Sequence, residues 1–556
     1  MRIHGGNGLT KRNTLVTSLA ACALALTLGA CGGGSGGSSD PSGSGPSQTP
    51  APNAKGPTIE KTPTAPGKAP PIGVQPVANT PAAQMPAHPD HAPIAEPGPQ
   101  PAVNAKAMTA TEPAAPRHEW VVSPNGNDSA EGTEAAPLRT IAMAVGKAAP
   151  GDRIRVLAGT YAERVVLGEN VKAGTPEAKI TLQGEGRPKL TPGSGSGALV
   201  QVRRPHWILD GFDIDVQSQP IFGVAFEGDV QGTVLANSEL HHGTGGAGIT
   251  TFNNARGATI ENNNIHDFVR TTGNQDSHGI VVQAASYDVT VRNNDIHGNS
   301  GDSVQCLGPE GVSALPPATG LLVENNHLFG NRENAVDIKT CHDVTIRNNR
   351  MHGFVQSATA RGEALVIHYS AKNVLVEDNE VYDASKGIAV GGNHEGPVPQ
   401  AIVVRGNRVH DITDAGGGEG TAIRLENSKG TVVANNTVTR AKSAIMLGHG
   451  TGGPTESLRV ENNLVDAPIA VDVGGQAPGL KMGSNLYPAG AQFKHNGQLV
   501  ALDAFKAATG DATSTGGDVA VSDVFAPSPA AQDKGLDVGQ PFCGAAPDIG
   551  AVELGC

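Results

Sequence analysis

Nine polar residues in one stretch of the chain have the types and spacing to do chemistry: His278, Gln283, Asp302, Gln305, Glu333, Asp337, Lys339, Glu363 and His368. An amine, Lys339, stands two residues from a carboxylate, Asp337, and an imidazole, His368, follows about one repeat later. β-Elimination on a uronate needs such a set. It needs a base for the proton α to the carboxyl, a cation on that carboxyl and an acid for the leaving oxygen. Lys339 is the candidate base and His368 the candidate acid, with Asp337 as the third catalytic group. A free lysine titrates near ~10.4, so a base there needs a large downward push. Asp337 pushes the wrong way. A calcium ion held by Asp302, Glu333 and Glu363 beside Asp337 reverses that sign and also takes the substrate carboxylate, so Ca²⁺ is the expected cofactor. Gln283, Gln305 and Arg361 are the expected substrate contacts. The plain alternative is a solvated face of an open sheet.

What must position these residues is a repeat. "VTVRNNDIHG" at Val289 returns as "LLVENNHLFG" at Leu321, "VTIRNNRMHG" at Val344 and "VLVEDNEVYD" at Val374. Taking Asn237, Asn263, Asn294, Asn326, Asn349, Asn379, Asn407, Asn436 and Asn463 as markers, the period is about 28 residues, which indicates a solenoid. The repeats alternate Val and Ile with period two and show no sustained helical period, so each is a coil of short strands stacked at ~4.8 Å. Roughly ten coils are expected from about residue 150 to about residue 490. The recurring Asn satisfies turn backbone and its neighbours above and below, a structural role.

Aligning one strand per coil on two inward residues places the polar set. The pairs are Ile280/Val282, Val304/Cys306, Val336/Ile338, Leu365/Ile367, Ile388/Val390, Ile423/Leu425 and Ile445/Leu447. The outward columns then hold Gln305 beside Asp337, Lys339 beside His368, and Asp302 near Glu363. Two insertions, Leu307 to Gly320 and Gly353 to Glu363, flank the Lys339 coil and are placed to wall a groove.

The remainder of the chain is organised around export. Arg2, Lys11 and Arg12 precede an apolar run from Leu15 to Leu28, too short to span and stay, so residues 1–30 read as a signal peptide. Residues 31–117 are Gly/Ser-rich and then Pro/Ala-rich, with no Phe, Trp or Tyr between 32 and 119, so they form a linker that buries no core. It would reach roughly 50 Å. The 556 residues carry a net charge of −13, which suggests no nucleic-acid partner. Cys306 and Cys341 sit about three residues apart in strand position, which argues against a bridge. Cys543 and Cys556 flank a short loop and are expected to pair.

Two resemblances add to this. Leu28-Gly29-Ala30-Cys31 resembles a bacterial lipobox, which implies cleavage before Cys31 and lipidation of its thiol. The implied place is the cell envelope, anchored to the outer membrane or cell surface by lipid. Ser123-Pro124-Asn125-Gly126, Gly132-Thr133, Pro137 to Ile141, Gly151-Asp152 and Gly159-Thr160-Tyr161 resemble the N-terminal region of right-handed parallel β-helix proteins of the pectate-lyase-like superfamily. "PDIGAVE" from Pro547 resembles the closing segment common in bacterial members. The resemblance implies an all-β solenoid with an N-terminal cap over 118–160, repeats over 161–490 and a closing segment over 491–556. A short helix near Leu138 to Lys147 should cover the open end. Lyases, hydrolases, epimerases and non-catalytic members share this fold, so fold alone does not assign activity. The resemblance and the candidate site together favour a polysaccharide lyase on an acidic glycan. The alternatives are a non-catalytic glycan-binding or adhesin-like lipoprotein and a structural envelope protein. A monomer is expected.

Overall fold

A computed structural model describes residues 115–270, 276–307, 315–392, 397–450, 455–475 and 477–556. The signal, Cys31, almost all of the linker and the middle of the Leu307 to Gly320 insertion lie outside the described residues.

Alternating Val and Ile can bury one side of a short strand, and a coil of three such strands closes a core. Each coil here contributes one strand to each of three sheets. Sheet 1 begins with Glu119–Val122, sheet 2 with Thr160–Ala162 and sheet 3 with Val165–Leu167. Each sheet holds fourteen strands among the described residues. Coil-to-coil pairing is parallel throughout, down to an antiparallel hairpin, Gln492–His495 with Gln498–Val500, that ends sheet 3. The chain is thus an all-β parallel β-helix. Glu119–Val122 and Arg153–Val156 are already the first two rungs of sheet 1.

The register of sheet 3 matches the inward pairs. Ile280 faces Val304, Val304 faces Val336, Val336 faces Leu365 and Leu365 faces Ile388. These residues and their second inward partners, Val282, Cys306, Ile338, Ile367 and Val390, are at most 1% exposed. A slip of one residue would turn Asp337 and its column into that apolar wall.

The Asn-Asn pair divides its labour. The first member, at Asn262, Asn293, Asn325, Asn348, Asp378, Gly406, Asn435 and Asn462, has positive φ, where Asn, Asp and Gly are tolerated best. The second member is buried and bonds to its counterpart one coil on. Asn349 Oδ1 accepts from the backbone N–H and Nδ2 of Asn326 (both 2.9 Å), and its own Nδ2 donates to Asn379 Oδ1 (3.0 Å) and Val323 O (2.9 Å). One marker needs correction. Asn237 is the left-handed member of its coil, and Ser238 takes the ladder position, donating its N–H to Asn263 Oδ1 (3.0 Å). The ladder also continues past Asn463 to Asn485 and ends on Ser514.

The ends are closed. The helix Ile141–Lys147, capped by Thr140, buries Ile141, Ala144 and Val145 at one end. At the other, Leu502–Thr509 buries Phe505. Beyond it the chain folds back along the solenoid, packing Ala531 and Ile549 on Leu464 and Leu486. Cys543 and Cys556 are bonded there (S–S 2.01 Å). Cys306 and Cys341 are also bonded, with Cα atoms 6.2 Å apart, contrary to the sequence reading. Counting along a straight strand overstates the separation, because the chain bends at the corner after Ile338 and buries Cys341.

Candidate functional site

Sheet 3 projects its polar residues from successive rungs Val304–Leu307, Val336–Ile338 and Glu363–Ile367. Gln305 and Asp337 are register partners on the outer face. Lys339 and His368 follow each strand by one residue.

These groups are recessed rather than splayed into water. His368 Nε2 lies 2.8 Å from Asp337 Oδ1. An ionised carboxylate only accepts, so it takes the Nε2–H and leaves Nδ1 as the basic nitrogen. Lys339 Nζ stands 4.0 Å from Asp337 Oδ2 and 5.7 Å from the centre of the Tyr369 ring. Burial alone would raise the Asp337 carboxyl, but His368 and Lys339 outweigh it and hold it below the ordinary range. The Lys339 and His368 side chains are 18% and 15% exposed, enough for a ligand to reach them from outside.

Beside them lies a second set, more deeply buried. Gln305 Nε2 bridges Asp302 Oδ2 (2.9 Å) and Asp337 Oδ2 (3.4 Å). The Asp302 backbone N–H donates to His278 Nδ1 (2.9 Å). Burial raises the Asp302 carboxyl, against the pull of His278. Asp302 therefore supports the site from within.

The expected calcium ligands do not fit a calcium ion. Asp302 Oδ1 already accepts the Asn334 N–H (3.0 Å) and its Oδ2 the Gln305 amide. Glu363 Oε1 is paired with Lys386 Nζ at 2.9 Å, and Glu333 Oε1 with Arg332 at 2.9 Å. Burial, reinforced by Asp302 and Asp276, pushes the Glu333 carboxyl up to about 9. A calcium site needs converging, unneutralised oxygens. Among the described residues, the one group of three His, Cys, Asp or Glu whose ligand atoms lie within 4.8 Å of one another is Asp215, His241 and His242, elsewhere.

The other expected contacts are spread out. Gln283 donates to Thr250 Oγ1 (2.9 Å), toward the coil before. Arg361 is exposed in the loop leading into Glu363–Ile367. The Gly353 to Glu363 insertion enters sheet 3 at one edge, while Leu307 to Gly320 leaves it at the other.

Comparison with known families now bears on the fold. The family of right-handed β-helix regions matches residues 222–400 and 312–465. The protein is a parallel β-helix. The uncharacterized protein YwoF of Bacillus subtilis (strain 168) is 25% identical over 310 residues, 52% of this chain, and the match spans 61% of that relative. Among solved structures, pectate lyase Pel9A is 17% identical with a TM-score of 0.41, covering 79% of this chain and 96% of that one. The PL6 family alginate lyase AlyGC is 16% identical with a TM-score of 0.48, covering 75% and 56%.

Sequence reasoning missed Tyr369. Its ring meets His368 edge-on at 4.5 Å, and its backbone is left-handed at φ 49°. A bulky residue held in that region is strained and marks a position where the surroundings demand it. The residue type next to His368 was legible, but the strained turn that brings its ring to Lys339 was not.

Proposed function

We propose that the β-helix binds an acidic polysaccharide across sheet 3 and cleaves it by β-elimination at Lys339, His368 and Asp337. The observation that carries this is the 2.8 Å Asp337–His368 pair with the Lys339 ammonium beside it. It redistributes the expected roles. Asp337 orients His368 and stabilises its cationic form, as a carboxylate behind an imidazole does. His368 Nδ1 removes the proton α to the uronate carboxyl. The C–H electron pair becomes the new C=C bond, and the C–O bond to the leaving sugar breaks. His368 then returns the same proton to the leaving oxygen. Lys339 meets the uronate carboxylate and stabilises the charge that builds there. No metal is needed for this sequence.

The test is ultraviolet absorbance of the unsaturated product on a panel of uronate polymers. Turnover that vanishes in His368→Ala, with melting unchanged and with EDTA without effect, supports the reading. Glycan retention with no product would instead make this face a binding surface. No retention and no product on any uronate polymer would sink both. We also infer lipid anchoring through Cys31 from its lipobox-like context. Cys31→Ser should move the protein from the membrane to the soluble fraction, and a membrane-bound variant would reject the anchor.

A further inference from the structure

Sheet 2 carries a different constellation, far along the chain from Lys339. Its outward column stacks rings from His241 through His266, His297, Phe329, His352 and Tyr382 to His410, with centroids 4.7–5.5 Å apart. The residue after each ring has positive φ. In later coils that place holds Asp267, Gly298, Gly330, Gly353, Asp383 and Asp411. In the first coil it holds His242, at φ 57°. The left-handed backbone swings His242 out beside His241, and their rings meet edge-on at 4.4 Å.

We propose that His241, His242 and Asp215 form a binding site for a divalent transition metal of the zinc class. Asp215 is the register partner of His241 on the preceding rung. The ligand atoms are His241 Nδ1, His242 Nδ1 and Asp215 Oδ1, at separations of 2.6, 3.5 and 4.0 Å. Tetrahedral ligands about 2.1 Å from one ion would stand roughly 3.4 Å apart, so small side-chain shifts close the site. Asp213 supports it from behind. Its Oδ1 lies 2.8 Å from His241 Nε2, so it takes the Nε2–H and leaves Nδ1 with its lone pair. Without metal, His242 Nδ1–H must donate to that lone pair, because two lone pairs cannot face each other at 2.6 Å. On binding, the neutral His242 shifts to its Nε2–H tautomer and the ion takes the place of the proton. Lys189 Nζ lies 3.2 Å from Asp215 Oδ2, while Oδ1 accepts the Gln217 N–H (3.0 Å) and offers its second lone pair to the ion. The His241 and Asp215 side chains are 8% and 16% exposed and that of His242 55%, so the ion keeps an open side toward solvent. Imidazole nitrogen with one carboxylate suits zinc, nickel, cobalt or copper over calcium.

The experiment is calorimetric titration of the full-length chain with Zn²⁺, made without a histidine tag and freed of metal. The expected result is one tight equivalent, lost or weakened at least about tenfold in His242→Ala and Asp215→Asn. Asp213→Asn, which removes only the orienting carboxylate, should weaken binding by about 10- to 100-fold. His242 is largely exposed, so its variant folds, and unchanged melting checks this. A Co²⁺ complex should show a visible spectrum that His242→Ala abolishes. Wild-type protein that takes up no stoichiometric Zn²⁺ would overturn the site. So would a His242→Ala variant that binds as tightly as wild type.

Discussion

Two columns run along the same solenoid and differ in what they repeat. At the corner between sheets 1 and 2, Asn follows Asn from Asn263 to Asn485, with the same amide-to-amide bond of 2.9–3.1 Å at nearly every step. On the outer face of sheet 3, each coil contributes something else: Val281, Gln305, Asp337, Val366, Ala389, Arg424. An in-register ladder of one residue satisfies every member with its neighbour, so it consumes its own polar groups and stabilises the stack. A column of unlike residues cannot close on itself. Its donors and acceptors pair unevenly, as Gln305 does between two carboxylates, and some of them face outward. In this protein repetition marks support, and its interruption marks the places where we propose chemistry. His242 is the same lesson on sheet 2.

The sharpest break between the columns is expected in turnover. His368→Ala should lower it about 10²–10⁴-fold and Lys339→Ala about 10²–10³-fold, both with melting unchanged. Steady-state rates beside thermal melts read both sides of that claim, and an active Lys339→Ala would remove it from the site. The converse substitution is Asn349→Ala. It strips the acceptor from the buried Asn326 N–H and amide, and should cost about 3 kcal/mol in denaturant unfolding. A melt that does not move would end the distinction between supporting and reactive columns.

Within the Asn pair the two members should separate. The exposed Asn348 holds a left-handed turn at φ 53°. Asn348→Ala should cost about 1 kcal/mol and Asn348→Gly almost nothing. Equal losses for both would mean that the side chain, not the backbone angle, matters there.

A separate effect is a pH term in the ring ladder. Burial, then His327 and Arg350, lower His352 to about 4 from the ordinary value near 6.5. A base depressed in the folded state lends stability that is complete above the unfolded value and lost as pH falls through the folded one. Stability should therefore decline between about 6.5 and 4, and His352→Phe should flatten that part of the profile. An unchanged slope in the variant would clear His352 of the effect.

Much of this was legible in residue order. The inward pairs Ile280/Val282 through Ile445/Leu447 could be aligned without coordinates, because parallel strands stacked in register make sequence neighbours one repeat apart into spatial neighbours. That alone brought Asp337, Lys339 and His368 to one face. Asn237 was misread because Asn suits both the left-handed turn and the ladder, and only the backbone angle tells which it fills. The partners of the carboxylates Asp302, Glu333 and Glu363 were not legible, because composition shows their charge and not what they pair with.

By itself, then, the sequence determined the coil of short stacked strands, its register and the Asn ladder, since each follows from a period repeated many times and a one-step slip would bury charge. The tertiary structure alone decided what happens at corners and between side chains. There the Cys306–Cys341 bond forms across a bend, Tyr369 is strained toward Lys339, and a left-handed residue turns His242 onto His241. Outside the Asn corner, the turns between strands carry no period. Their lengths vary from coil to coil, and one φ angle redirects a side chain by more than a whole strand of alternation can.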